Sequence, residues 1–229
     1  GQLPAAKRHP DVVQFLLYWL GESPWYLGVV VRRVRALLLL RRERLFSEAL
    51  VSDAVWDVLG SHDGVLYQRF QARLEQVVQQ RHGVLARDAL LAIAAGARTS
   101  QAIAERCGKR TTLPHALELL VGQDLVERKG ACWLVADQAW AFWLKTVGGA
   151  SRHGTLGGRD MGREGVQRAL MLVWDGWRDA ARRPLVERIH GLLSAFHNET
   201  VSLDSKTGRL PPFGTLASQG TAQAGETYL

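Results

Sequence analysis

A chain of 229 residues with 47% hydrophobic and 22% charged residues has globular composition and is long enough for one large domain or two small ones. Its two cysteines, Cys107 and Cys132, exclude a disulfide scaffold and are too few for a cysteine-based zinc site, so a reduced, cytoplasmic protein is expected. The net charge of +7 favours polyanionic partners through counterion release. That charge is spread along the chain, however. Residues 1–87 carry 12 basic and 8 acidic groups, residues 88–147 carry 7 and 6, and residues 148–229 carry 10 and 8. A protein held on DNA by charge alone would be more polarised. Arginine outnumbers lysine 24 to 5, a bias that a GC-rich genome also produces.

No signal peptide is present, and the chain opens on Gly1, so it reads as a fragment of a longer protein cut at both ends. The most apolar stretch, Val12 to Val31, is broken by Gly21, Glu22, Ser23 and Pro24. A membrane span needs about 20 uninterrupted apolar residues, so two soluble helices are expected here and no membrane partner. The first covers 11–20, with Asp11 suited to its first turn. The second covers 24–44, apolar early and arginine-rich late. Ser47 is a candidate N-cap for a third helix over 47–58. A fourth over 65–82 places Leu66, Phe70, Leu74, Val77 and Val78 on one face.

Residues 84–147 hold the most informative pattern. A helix from Leu85 to Ala95 is stopped by Gly96. Thr99 and Ser100 cap SQAIAERC, which ends at Gly108. Thr111 or Thr112 caps a third helix with Pro114 in its first turn, where a missing N–H is harmless. Two short strands, 125–129 and 131–137, turn at Gly130, and AWAFWLK closes the unit as a helix. Three helices and a hairpin in about 60 residues predict a winged helix-turn-helix. Residues 148–164 are a glycine-rich linker. Helices are expected over 165–179 and 184–196, followed by a weakly alternating tail. The fold class is therefore mainly α, with a winged helix-turn-helix after an all-α unit and a partial α/β segment at the end.

The chemistry-bearing motifs are mostly absent. There is no GxxxxGK[ST], GxSxG, HExxH or CxxC, and none of the seven histidines pairs with another at the i, i+4 helical spacing. Within the winged helix, Thr111, Thr112 and His115 would lie on the exposed side of the third helix. Lys109 and Arg110 would sit at its entry, and Arg128 and Lys129 at the wing. A helix for the major groove with cations for flanking phosphates is the arrangement a reader of double-stranded DNA needs. The third helix supplies Glu118 and no Arg or Asn for base edges, so packing against a partner domain stands beside DNA contact as an alternative. Trp133, Trp140, Phe142 and Trp143 read as core rather than as base-stacking platforms.

The strings ALLAIAAGARTSQAIAERCG, LPHALELLVGQDLVERKG and WLVADQAWAFWL resemble the C-terminal winged helix of AAA+/STAND-type P-loop ATPases, the archaeal ATPase family. HPDVVQFLLYWLGESPWYLGVVVRRV is similar to the helical lid of that family, and GVLYQRFQARLEQVV to its connecting helix. The resemblance covers about residues 9–147. It implies a lid-like domain over 1–83, a winged helix over 84–147 and a nucleotide-binding domain upstream that would hold ATP and Mg²⁺; no cofactor is expected in this chain. It also places the turn from Gly21 to Leu27 near the nucleotide. RRPLVERIHGLLSAF and LPPFG resemble the opening of a restriction-endonuclease-like domain, with Glu187 matching a metal-proximal glutamate, although one carboxylate cannot hold Mg²⁺ alone.

Three readings of function follow. The first is the regulatory and DNA-binding C-terminal portion of a STAND-type ATPase, without catalysis of its own, that couples nucleotide state to DNA or partner contact. The second is a winged-helix transcription regulator with a helical dimerisation domain. The third is a nuclease-associated module using Glu187.

Overall fold

Local chemistry sets most helix boundaries in the computed structural model, which describes residues 7–8, 10–21, 23–108, 111–130, 132–148, 162–194, 199–203, 206–210, 219–220 and 227–228. Among these the protein is mainly helical. Helix α1 (Pro10–Leu20) has Asp11 in its first turn and buries Val12, Phe15, Leu16, Trp19 and Leu20. Helix α2 (Pro24–Arg41) starts where the Ser23 hydroxyl accepts the Tyr26 N–H at 3.4 Å. It ends three residues before the expected position because Arg42 turns left-handed, φ 55°, and its N–H closes onto the Leu38 and Leu39 carbonyls. Strand β1 (Lys7–Arg8) then pairs in parallel with β2 (Leu45–Phe46).

Ser47 caps α3 (Glu48–Val55) by accepting the Leu50 N–H at 3.3 Å, as expected. The helix runs on into a wide π turn, Trp56–Gly60. Helix α4 (Val65–Val78) buries Leu66, Phe70, Leu74 and Val77 of the face its periodicity predicts, while Val78 is only half-buried. It stops short of residue 82, and the backbone reverses at His82, φ 64°, to begin α5 (Gly83–Ala94). Gly96 (φ 101°) ends that helix, and Gly108 (φ 63°) ends α6 (Ser100–Cys107), both left-handed positions that glycine occupies without strain.

Helix α7 (Leu113–Gly122) leads to the antiparallel hairpin β3 (Val126–Lys129) and β4 (Cys132–Val135), in which Arg128 faces Trp133. Helix α8 (Gln138–Thr146) follows. Helix α5 is the hub: α4, α6, α7, α8 and β4 all pack on it. The hairpin is tied down by the Trp133 N–H to the Arg98 carbonyl at 2.7 Å and by Ala136 N–H to the Leu125 carbonyl at 3.1 Å. Trp133, Trp140, Phe142 and Trp143 are buried, the role the sequence assigns them.

Most of the glycine-rich stretch, residues 149–161, lies outside the described residues. Helix α9 (Gly162–Arg182) packs against α3, the π turn and α8. Its Val166, Leu170 and Trp174 join the same core as α1–α8. Trp174 stacks on Phe15 with ring centroids 4.2 Å apart, and Trp177 meets Phe15 edge-on at 5.8 Å. Ion pairs flank this seam. Asp53 receives Arg163 at 2.6 Å, Arg41 at 2.7 Å and Gln167 at 2.7 Å, while Arg178 reaches Glu48. Burial opposes ionisation of Asp53, but the hydrogen bonds from Arg163 and Arg41 outweigh it and hold its carboxyl below the usual carboxylate range.

Helix α10 (Leu185–Ser194) follows after Arg183 and Pro184. Two antiparallel pairs come last, β5 (Glu199–Leu203) with β6 (Lys206–Leu210) and β7 (Gln219–Gly220) with β8 (Thr227–Tyr228). No helix among the described residues is long and apolar enough to cross a membrane.

The seam gives a direct test. The Trp174 indole N–H has no acceptor among the described residues, so packing alone holds the ring. Trp174→Ala should cost about 3–5 kcal/mol of unfolding free energy, and Trp174→Phe clearly less. Urea denaturation followed by far-ultraviolet circular dichroism measures both. A loss below about 1 kcal/mol for the alanine variant would mean that α9 does not share the core.

Candidate functional site

Two places in the fold gather functional chemistry. The first is the surface around α7. Thr111 is exposed, and Thr112 occupies the N-cap position, but its side chain makes no capping hydrogen bond. His115 is exposed, its Nδ1 lies 3.6 Å from Glu118 one turn later, and its ring stacks on that of His82 at 5.8 Å. Lys109 and Arg110 lie outside the described residues. On the hairpin, Arg128 donates from Nε to the Gly130 carbonyl at 3.1 Å, and its guanidinium lies 5.6 Å from the Trp133 ring centre. Lys129 pairs with Glu127 at 3.1 Å. Both cations therefore have partners within the hairpin.

Between α6, α7 and the hairpin runs a groove of about 850 Å³. Ala104, Leu113, Leu117, Val121 and Trp133 give it an apolar floor, with Glu118 and Arg128 also lining it. The Trp133 indole donates to the Ser100 hydroxyl at 3.0 Å, which fixes the ring as one wall. Among the described residues, the surface offered by α7 beside the hairpin is an apolar trough lined by charges of both signs.

The second place is the joint between the first turn of α2 and the start of α8. Asp137 serves three donors with two oxygens. Its Oδ1 accepts the Trp140 N–H at 2.9 Å and so caps α8. Its Oδ2 accepts the Tyr26 hydroxyl at 2.9 Å and lies 3.4 Å from the Arg73 guanidinium. Arg73 also sits over the Trp140 ring, 4.3 Å from its centre. Helices α2, α4 and α8 therefore meet at one carboxylate. Burial, together with the neighbouring Asp137 charge and its hydrogen bond, pushes the Tyr26 phenol up to about 12, against a lesser opposing effect of Arg73 and Arg69. A small cavity of about 320 Å³ opens beside the joint, lined by Trp19, Ser23, Tyr26, Glu127 and Asp137 among others.

Compared with protein-family models, curated proteins and solved structures, the chain matches none. Among the described residues no three His, Cys, Asp or Glu side chains gather as a metal site. Cys107 and Cys132 are half-buried. Glu187 is exposed on α10.

Sequence reasoning reached Tyr26 as part of a turn and Asp137 as part of a terminal pattern. It did not join them, because they are 111 residues apart. Asp137 before a helical run is an N-cap signal, and that signal was available. Arg73 gave none, since an arginine on a mixed helix face is ordinary.

The joint predicts an alkaline signature. A phenol whose pKa rises from 10.0 to about 12 on folding favours the neutral form in the native state. Its stabilising contribution is complete below pH about 10 and is lost as pH rises through about 12. Tyr26→Phe should remove one high-pH step from the ultraviolet tyrosine titration and lower stability by about 1–2 kcal/mol. An unchanged titration curve would show that Tyr26 ionises like an exposed tyrosine.

Proposed function

We propose that this chain is the C-terminal regulatory portion of a STAND-type P-loop ATPase, a helical lid-like unit followed by a winged helix-turn-helix. In this reading it couples nucleotide state in an upstream domain to contact with a partner. The observation that carries the reading is the Asp137 joint. The turn that the sequence resemblance assigns to the neighbourhood of the nucleotide supplies Tyr26, and Tyr26 bonds the carboxylate that starts the last helix of the winged unit. A displacement of the turn that breaks this bond would leave Asp137 with its cap and Arg73 only. The free energy of coupling available from one such bond to a charged group is about 1.5–3 kcal/mol.

ATP and Mg²⁺ would be held by the upstream domain. The described residues offer neither a phosphate-cradling loop nor converging carboxylates. For the winged unit, partner contact is favoured over reading of double-stranded DNA. The groove beside α7 is apolar, α7 carries Glu118 and no cation, and Arg128 and Lys129 are engaged within the hairpin.

The parent reading frame provides the first test: a GxxxxGK[ST] string encoded upstream of Gly1 is expected, and its absence would end the ATPase reading. In the parent protein, Asp137→Asn should change the ratio of ATP to ADP affinity several-fold, measured by calorimetry, since coupling acts in both directions. An unchanged ratio would leave the joint as a structural contact. Anisotropy of a labelled random duplex across a salt series tests the DNA alternative. Arg128→Glu with Lys129→Glu should leave the log–log slope unaltered, whereas two lost phosphate contacts would flatten it by about 1.8.

A further inference from the structure

The arginines of α2 and the turn after it fall into two sets. Those beside α3 and the π turn are neutralised, Arg33 by Asp57 at 2.7 Å and Arg41 by Asp53 at 2.7 Å. Arg32, Arg35, Arg42 and Arg44 are exposed, and among the described residues none of their guanidinium groups has an ion pair or hydrogen bond. Arg32, Arg35, Ala36 and Leu39 recur at i, i+3, i+4 and i+7, so they share one face of α2. That face lies opposite the buried Val30, Val34, Leu37 and Leu38.

The same face runs into an apolar projection. Every residue from 39 to 45 is exposed. Leu39, Leu40 and Leu45 are 58%, 78% and 58% exposed, three leucines within seven residues. The turn that carries them is fixed locally. Arg42 is left-handed, the Glu43 N–H closes on the Leu38 carbonyl at 3.1 Å, and Phe46 packs against the core while Leu45 faces out. Glu43, the one carboxylate of the turn, lies 3.9 Å from Arg41.

We propose that this corner of the fold rests on an anionic phospholipid bilayer, with the three leucines in the headgroup–acyl boundary and the four free arginines on lipid phosphates. Charge and apolar surface select this occupant together. A nucleic-acid backbone would satisfy the guanidinium groups, but it would meet the leucines with hydrated phosphate. A folded acidic protein would have to supply a socket for a protruding turn, whereas a bilayer yields around one. Leucines that enter the boundary and arginines that stay at its polar edge are what an interfacial segment needs. No helix among the described residues can span a membrane, but lying against one requires no span. Near an anionic surface each guanidinium contributes roughly fivefold to partitioning, and each leucine removed from water about tenfold. Neither the Asp137 joint nor an upstream nucleotide enters this contact, so it stands or falls apart from the ATPase reading.

Co-sedimentation with lipid vesicles tests it. The chain should pellet with mixed phosphatidylcholine–phosphatidylglycerol vesicles, far less with phosphatidylcholine alone, and less as salt rises. Two double variants separate the contributions: Leu39→Ser with Leu40→Ser, and Arg42→Gln with Arg44→Gln. All four positions are exposed, so both variants should keep the wild-type melting temperature. Each should partition at least about tenfold more weakly. Val121→Ser, on the exposed surface of α7, should bind like the wild type. A wild type that stays in solution with the mixed vesicles overturns the proposal, as does equal pelleting with phosphatidylcholine alone. Loss on the arginine substitutions but not on the leucine substitutions also overturns it, because it would mark a contact with any polyanion rather than insertion. Equal loss on Val121→Ser overturns it as well, by moving the contact to the groove beside α7.

Discussion

The Asp137 carboxylate is the constraint on which the arrangement of the helices depends. A helix N-terminus needs an acceptor for its first N–H groups, a buried phenol needs one for its hydroxyl, and a half-buried guanidinium needs a counter-charge. One carboxylate meets all three needs at 2.9, 2.9 and 3.4 Å. Because the donors come from α8, α2 and α4, satisfying them fixes the relation between the helices that precede residue 80 and the hairpin-bearing unit that follows. The indole of Trp140 under Arg73 adds a cation–π contact to the same cluster. The network ties the start of α8 directly to the first turn of α2.

The apolar core gives the same unity on a larger scale. Phe15 touches Trp19, Trp174 and Trp177, and Trp19 in turn meets Phe142 edge-on at 5.3 Å. A row of aromatic rings thus links α9, α1 and α8. The charged pairs around Asp53 and Glu48 lie along the border of this row. Their orientation gives α9 one register against α3, while the ring contacts supply most of the holding energy.

Much of this was legible in the sequence where the deciding physics is local. Ser47, Thr99, Gly96 and Gly108 mark helix ends by capping and left-handed geometry, and each does so in the structure. The inward face of α4 followed from periodicity alone. The end of α2 was misplaced because Arg42, rather than glycine, takes the left-handed position there, and that of α4 because the chain leaves the helix at Gln79, ahead of the left-handed His82 that starts α5. None of these residue types signals a reversal. Nor could spacing foresee that α9 would dock against α3, since the ion pairs to Asp53 and Glu48 span more than 100 residues. The surface around α7 was half legible. The sequence located the exposed helix and the hairpin that follows it. It did not show that Arg128 and Lys129 would be engaged locally, nor that a trough would open between the elements.

The closure of the core by α9 also bears on synthesis. Asp53 waits 110 residues for Arg163, and Phe15 waits longer still for Trp174. At about 5–20 residues per second, a ribosome takes roughly 6–30 seconds to deliver those partners. During that interval Phe15 and its neighbours are covered on one side only, while the α4–α8 unit can already assemble around α5. Until α9 is made, the face of Phe15 that meets Trp174 and Trp177 lacks its partner rings, even with α1 packed on α2 and α8. A chaperone that recognises exposed aromatic surface would find its target in α1.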